Sequence, residues 1–279
     1  MSQVWFITGA SRGLGRAIAN AALAEGHSVV ATTRNGSFTD VGAEHRDRLL
    51  VMPLDVTAPE LSAYTEVVDA AIARFGRIDV LVNNAGYGAL TLFEESDEAQ
   101  VRAAFETNVF GLMRVTRAVL PSMRRQMAGH LFNISSLAGY VGGGALYSAT
   151  KFAVTGFTES LAVELSPFGI KVTNVAPGYF RTDFLDSSSV QFKTANELPD
   201  YETSRQARLG FLQQANHNQN GDPDALGRLL VHVASTNHPP LHLPVGMDAI
   251  DGIEQHQRAL STDIATWRDK STATAHDSV

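Results

Sequence analysis

Hydrophobic positions along the chain fall into two alternating patterns. Short runs rich in β-favouring residues occupy 4–8 (VWFIT), 27–33 (HSVVATT), 48–54 (RLLVMPL), 78–84 (IDVLVNN), 130–135 (HLFNIS), 170–176 (IKVTNVA) and 240–246 (PLHLPVG). Most are continuously apolar rather than alternating, as strands buried on both faces are. Between them lie helix candidates near 14–25, 58–75, 97–127, 146–166 and 222–234. The β-α-β-α order predicts an α/β fold: a doubly wound parallel sheet with helices on both faces and right-handed crossovers.

Two stretches depart from this alternation. Residues 183–221 are rich in Ser, Gln and Asn, carry scattered aromatics and show no clear period. Such an insert reads as an active-site lid or as disorder. Beyond Met247 the chain reads as one polar helix with a frayed end. With no internal repeat and no linker, residues 1–250 are expected to form one domain that includes the lid, and 251–279 its terminal helix and tail.

Composition narrows the function. A net charge of −7 argues against a nucleic-acid partner. The absence of cysteine excludes disulfides and thiolate chemistry. No apolar run is long enough to span a bilayer and the N-terminus has no basic leader, so no membrane association is expected and a cytoplasmic location is. The histidines are dispersed and no H-x-x-x-H or H-E-x-x-H pattern on a helix occurs, so no metal site is expected.

The chemistry-bearing segments lie mainly where strands end. FITGASRGLGRAIA (6–19) is a strand, a turn with Gly9, Gly13 and Gly15, and a helix start. Glycines permit tight turns and close ligand approach, and the helix N-terminus offers free N–H groups, so a diphosphate is the natural guest. After the second strand, where an acidic residue would hold a ribose 2′-hydroxyl, the chain has Thr33 and Arg34, with Arg12 in the glycine turn. A missing acid and two guanidiniums favour a 2′-phosphate, hence NADP(H) over NAD(H). In ALYSATKFAV (145–154), Tyr147 precedes Lys151 by four residues, which puts both on one helix face. A free phenol is a weak base at neutral pH, and a nearby cation favours its ionised form. Alone, such a pair is more often surface packing than catalysis.

Seven landmarks in order change that weighting: TGASRGLG (8–15), LDVT (54–57), NNAG (83–86), Asn108 in FETNVFG, NISS (133–136), YSATK (147–151) and PG (177–178). Together they resemble the single-domain short-chain dehydrogenase/reductase family, over about residues 3–182. The resemblance implies a Rossmann fold and an oxidoreductase. It implies a catalytic set of Asn108, Ser136, Tyr147 and Lys151. Ser135 and Ser136 both stand at the strand end, and Ser136, which follows NIS, fills the family's position. The segment from Ser136 to Tyr147 is shorter than in most relatives and carries Gly142, Gly143 and Gly144.

The implied cofactor set is Gly9, Ser11, Arg12, Gly13, Leu14, Gly15, Thr33, Arg34, Asp55, Val56, Asn84, Ala85, Gly86, Tyr147, Lys151, Pro177, Gly178, Phe180 and Thr182. Within it Asp55 would meet the adenine edge, Asn84 to Gly86 the adenosine ribose, and Pro177, Gly178 and Thr182 the nicotinamide carboxamide. Lys151 would hold the nicotinamide ribose and lower the Tyr147 hydroxyl; Asn108 would hold a water linking Lys151 to solvent. The implied reaction is hydride transfer between NADP(H) and a carbonyl or secondary alcohol, with Tyr147 as general acid or base. Candidate pocket walls are Tyr87, Leu90, Phe93, Leu137, Tyr140, Tyr179, Phe180, Phe184, Phe192 and Phe211, which suit a medium or bulky apolar substrate. Family members are commonly homodimers or homotetramers through the helices at 97–127 and 146–166. Two alternatives stand beside this reading. One is a non-catalytic NADP(H) sensor; the other is an extended-branch epimerase or dehydratase, disfavoured by the glycine spacing.

Overall fold

The first strand sets the pattern for the sheet. In β1 (Val4–Thr8) every residue is buried, and successive side chains go to opposite sides. Trp5 and Ile7 join a core under one layer of helices, while Val4 and Phe6 join a second core under the other. That two-sided burial is why the run is continuously apolar. The computed structural model describes residues 2–39, 41–186, 189–192 and 194–275.

With β2 (Ser28–Thr33), β3 (Leu49–Pro53), β4 (Val80–Asn83), β6 (Gly129–Ile134), β7 (Ile170–Pro177) and β9 (His242–Val245), β1 forms a seven-stranded parallel sheet in the order β3-β2-β1-β4-β6-β7-β9. Two short strands, β5 (Gly88–Ala89) and β8 (Val190–Gln191), pair separately. Strand order reverses between β1 and β4, and the loops diverging there open a crevice at the carboxyl edge. This is a single-domain Rossmann fold.

Helices α1 (Gly13–Ala24) and α7 (Pro223–Ala234) cover one face. Their contact is close because Gly227 has no side chain: a β-carbon there would lie 2.6 Å from the Ala17 carbonyl oxygen. On the other face lie α2 (Leu61–Phe75), α4 (Leu112–Gln126) and α5 (Ala145–Leu165). Each large side chain buried in these cores contributes about 1.5–3 kcal/mol.

Three expectations change. The helix read over 97–127 is α3 (Glu98–Phe105), a π-helical turn (Glu106–Gly111) and then α4. Asn108 sits in the widened turn, where such insertions often serve a site. Second, the aperiodic 183–221 segment contains a helix, α6 (Glu202–Ala215), in which only Leu212 is buried. One buried position leaves no apolar stripe to read. Third, the terminal helix α8 (Met247–Thr272) begins inside the first 250 residues and buries only Ala249 and Ile253. Residues 276–279 of the expected frayed end lie outside the described residues. Among the described residues, no helix is long and apolar enough to cross a membrane.

Candidate active site

At the end of β1 the chain turns through Gly9 (φ +65°) and Gly13 (φ +56°), a backbone region that favours glycine. The Asn84 side chain ties this turn to the loop after β4: its Nδ2 donates to the Thr8 and Gly9 carbonyls at 3.0 and 3.1 Å. Thr8 Oγ1 accepts from the Asn84 and Ala85 amides at 3.0 and 3.1 Å. A β-carbon at Gly15 would lie 2.4 Å from Asn84 Nδ2 and 2.5 Å from the Gly9 carbonyl oxygen. Arg12, at the N-cap of α1, supplies no side-chain cap, so the opening N–H groups of the helix are left for a ligand.

One cavity of about 1040 Å³ runs from this turn to the lid. Every residue of the expected cofactor set lines it except Gly15, which lies beneath Gly9 and Asn84 and permits their approach. At the end of β2 the cavity meets Thr33 and Arg34. Thr33 Oγ1 accepts from the Ser37 amide at 3.0 Å, whereas Arg34 is exposed and holds no described residue. Asp55 is also exposed, its Oδ1 accepting from the Thr57 amide and hydroxyl at 2.9 and 2.7 Å. The cradle without side chains, the uncapped helix end and the basic rim fit a dinucleotide.

At the other end, α5 presents Tyr147 and Lys151 on one face. The Ser136 side chain acts on the Tyr147 hydroxyl and favours its ionised form. Lys151 is 6% exposed; its Nζ donates to the Ile134 carbonyl at 2.8 Å and lies 5.7 Å from the Tyr147 ring centroid. Ser136 lines the cavity, where its Oγ accepts from the Ala138 amide at 3.1 Å. The Ser135 hydroxyl points the other way, bonded to the Lys151 carbonyl and Thr155 at 3.1 Å each.

Burial governs both titrating groups. It pushes the Tyr147 hydroxyl up to about 12, with the Ser136 side chain opposing, and Lys151 down to about 8. The expected lowering of the phenol by the lysine is therefore absent. The ammonium is directed at the Ile134 carbonyl, and the loss of hydration outweighs it.

Asn108 does not reach the cavity. Its Nδ2 donates to the Tyr87 carbonyl at 3.0 Å and Thr150 Oγ1 at 3.2 Å, and its Oδ1 accepts from the Tyr87 amide at 3.0 Å. Thr150 in turn donates to the Tyr147 carbonyl at 2.7 Å, so Asn108 braces the loop after β4 against the turn of α5 that carries Tyr147. Of the expected walls, Tyr87, Leu90, Leu137, Tyr179, Phe180, Phe184 and Phe211 line the cavity. Phe93 is exposed, Tyr140 turns away to pair with His242 at 2.6 Å, and Phe192 lines a separate small pocket.

The lid closes over the site through contacts with no signature in the sequence. Phe184 packs against Tyr147, with ring centroids 5.9 Å apart. Arg208 on α6 donates to the Leu90 and Gly143 carbonyls at 2.9 and 3.1 Å. Arg205, one turn earlier, pairs with the fully buried Glu95. Asp248, in the first turn of α8, accepts from the Tyr179 amide at 2.6 Å and fixes the loop after Gly178. These partners lie between 37 and 118 residues apart, beyond any local pattern. The fold also gathers one histidine among acids: His217 lies 3.2 Å from Asp186, with Asp183 alongside, at the partly exposed base of the lid.

Comparisons with known proteins show the family to which the chain belongs. A family model described as short chain dehydrogenase matches residues 3–193. The chain is similar to the oxidoreductase BOA17 of Botryotinia fuckeliana, at 39% identity over 99% of this chain and 100% of that one. It is similar to a 3-ketodihydrosphingosine reductase of Bacteroides thetaiotaomicron, at 36% identity over 88% of each. Among solved structures, a short-chain dehydrogenase from Streptomyces avermitilis superposes with a TM-score of 0.89 at 39% identity, covering 99% of this chain and 100% of that one.

Proposed function

Because the chain belongs to the short-chain dehydrogenase family, whose members work with nicotinamide cofactors, we propose that it reduces a medium or bulky apolar ketone with NADPH, or oxidises the corresponding alcohol. One observation carries this reading. Tyr147, with the Lys151 ammonium 5.7 Å from its ring centroid, lines the same cavity as Ser136 and the glycine cradle.

The residues would divide the work as follows. Ser11, Arg12, Gly13 and Leu14 hold a diphosphate at the α1 N-terminus, and Arg34 with Arg12 favours a 2′-phosphate. The Pro177–Thr182 loop and Lys151 hold the nicotinamide riboside. When bound, the cofactor supplies or accepts the hydride. Tyr147 donates its proton to the carbonyl oxygen while Ser136 hydrogen-bonds the same oxygen and steadies its charge. Burial keeps the Tyr147 hydroxyl protonated at neutral pH, the form in which it can donate. Lys151, positioned beneath it, stabilises the phenolate left behind. Asn108 positions Tyr147 through Thr150.

The wall of Leu90, Leu137, Tyr179, Phe184 and Phe211 favours an apolar substrate, and the similarity to a reductase named for a long-chain ketone points the same way. Exposed Phe110, Phe152 and Val163 on and beside the long helices favour assembly of two or four copies there, which light scattering would measure. A panel of ketones and alcohols of increasing size, followed by NADPH absorbance with NADH in parallel, tests the activity. Turnover rising with apolar size and preferring NADPH is expected. No turnover with either cofactor, or a clear NADH preference, would contradict it.

A further inference from the structure

Arg208 on α6 carries a charge with no counter-charge. It is half-buried, lines the cavity, and donates from Nη1 to the Leu90 carbonyl at 2.9 Å and from Nη2 to the Gly143 carbonyl at 3.1 Å. Those bonds use two of the five N–H donors of a guanidinium. Nε has no partner and keeps accessible surface. Neutral carbonyls hold the group in place and leave its charge unmatched. Arg205, one turn earlier on the same helix, gives the contrast, since it is paired with both Glu95 and Glu202. Among the described residues no carboxylate pairs with Arg208. Of the acids that line the cavity, Asp55 stands at the nucleotide end, Glu106 is paired with Arg114, and Asp183 gathers with Asp186 and His217. Burial lowers the pKa of Arg208 and no acid acts against it.

The wall beside it is bare of side chains. Gly142, Gly143 and Gly144 all line the cavity, and β-carbons at Gly142 and Gly143 would meet nothing within 4 Å. A β-carbon at Gly144 would lie 4.0 Å from Arg208 Nη1 and 4.0 Å from Tyr147 Cβ, so the guanidinium stands close to Tyr147. The glycine run thus leaves space for a ligand between the two. What the guanidinium lacks is a planar anion. A carboxylate accepts two of its N–H groups in parallel and supplies the missing charge. A neutral oxygen supplies no charge, and an amine cation is repelled. The diphosphate cradle lies at the start of α1, at the other end of the cavity, so the cofactor does not serve as this anion. We propose that Arg208 is a specificity-determining residue that binds the carboxylate of an amphipathic keto acid, whose carbonyl lies at Tyr147 and whose hydrocarbon part lies against Leu90 and the aromatic wall. The inference rests on the carbonyl-reducing reading above and narrows its substrate class from apolar ketones to apolar ketones that carry an anion.

Steady-state turnover of medium-chain keto acids and their methyl esters, compared among wild type, Arg208→Gln and Arg208→Lys, tests this. The ester keeps the chain and the ketone and removes the charge. Wild type is expected to favour the acid about tenfold in kcat/KM, chiefly through KM, and the preference is expected to shrink as salt rises. Arg208→Gln is expected to bring acid and ester within about twofold of each other, and Arg208→Lys to restore part of the preference. A loosened lid alone would lower acid and ester together and leave their ratio unchanged. A wild type that treats both alike or favours the ester, or a Gln variant that keeps the wild-type ratio, would overturn the role of Arg208 and leave the reductase reading standing. If no ketone is turned over with NADPH or NADH, the reductase reading falls, and calorimetric titration with the same acid and ester then judges Arg208 alone. Tighter binding of the acid by wild type than by Arg208→Gln upholds the anion site; equal binding by both, or none, overturns it.

Discussion

The two ends of the cavity are built by different means. At the glycine turn, position is set by strands buried on both faces and by backbone groups, with Asn84 and Thr8 stitching β1 to β4 over distances of 3.0–3.1 Å. At the lid, position is set by long polar side chains reaching across the fold. Glu95 collects the Leu198 amide at 3.0 Å and Arg205, while its backbone carbonyl takes the Ala195 amide at 2.9 Å. The first kind of structure is rigid because the hydrophobic core and the sheet ladder define it together. The second depends on a few ionic and hydrogen-bonded pins, and regions of that kind open more easily. A site with one end of each sort can hold one ligand steady while admitting another.

The largest effect expected is the loss in acid of the sheet that fixes the rigid end. His130 on β6 is 4% exposed, and burial pushes its pKa down to about 3. Thr173 Oγ1 donates to the Pro240 carbonyl at 2.7 Å, so it accepts from His130 Nε2 at 2.9 Å, leaving Nδ1 bare and without a partner. A proton added at Nδ1 would find no acceptor. Because the folded value lies below the unfolded one, the unfolded chain binds more protons between about pH 6.5 and 3. Stability is therefore full above pH 6.5 and falls as pH drops through that window, by at most about 5 kcal/mol. Urea titrations across that range are expected to show the loss, and His130→Phe is expected to flatten it. An unchanged pH profile in the variant would place the acid sensitivity elsewhere.

Gly15→Ala probes the rigid end next. Its β-carbon would meet Asn84 Nδ2, which is already bonded to two carbonyls, so the side chain has no room to retreat. A loss of about 2–3 kcal/mol and weakened dinucleotide binding are expected. Thermal melts with and without NADP+ would read both, and retention of wild-type values would show that the turn is softer than its packing implies.

Glu95→Gln probes the pinned end and should have the smallest effect on overall stability. Arg205 keeps Glu202 as a partner, so a local loss of about 1–2 kcal/mol is expected. Hydrogen exchange is expected to quicken across 190–215 while β1 and β4 stay protected. Uniform acceleration across the sheet would erase the distinction between the two regions.

The same distinction explains how far the sequence could be read. The strands and the glycine turn were legible because their requirements are local: continuous apolar runs, glycines at fixed spacing, Tyr147 and Lys151 one helical turn apart. Seven strands of the sheet fall within the ranges the pattern predicts, to within three residues at each end. Helix α6 was hidden because its anchors are Arg205 and Arg208, whose partners Glu95 and Leu90 lie 110 and 118 residues away. The π-helical turn at Asn108 was hidden because it preserves a helical residue pattern on either side. The burial that raises Tyr147 and lowers Lys151 is likewise a property of the closed lid and sheet edge, absent from the spacing of the two residues.

The proposed reaction turns on Tyr147 delivering the proton in hydride transfer. Single-turnover oxidation of bound NADPH by an active ketone, compared between wild type and Tyr147→Phe, tests it most directly. The substitution keeps the ring against Phe184 and removes only the hydroxyl. A rate at least about a hundredfold lower is expected, with the NADPH dissociation constant within threefold of wild type. A variant that oxidises NADPH at close to the wild-type rate would contradict it.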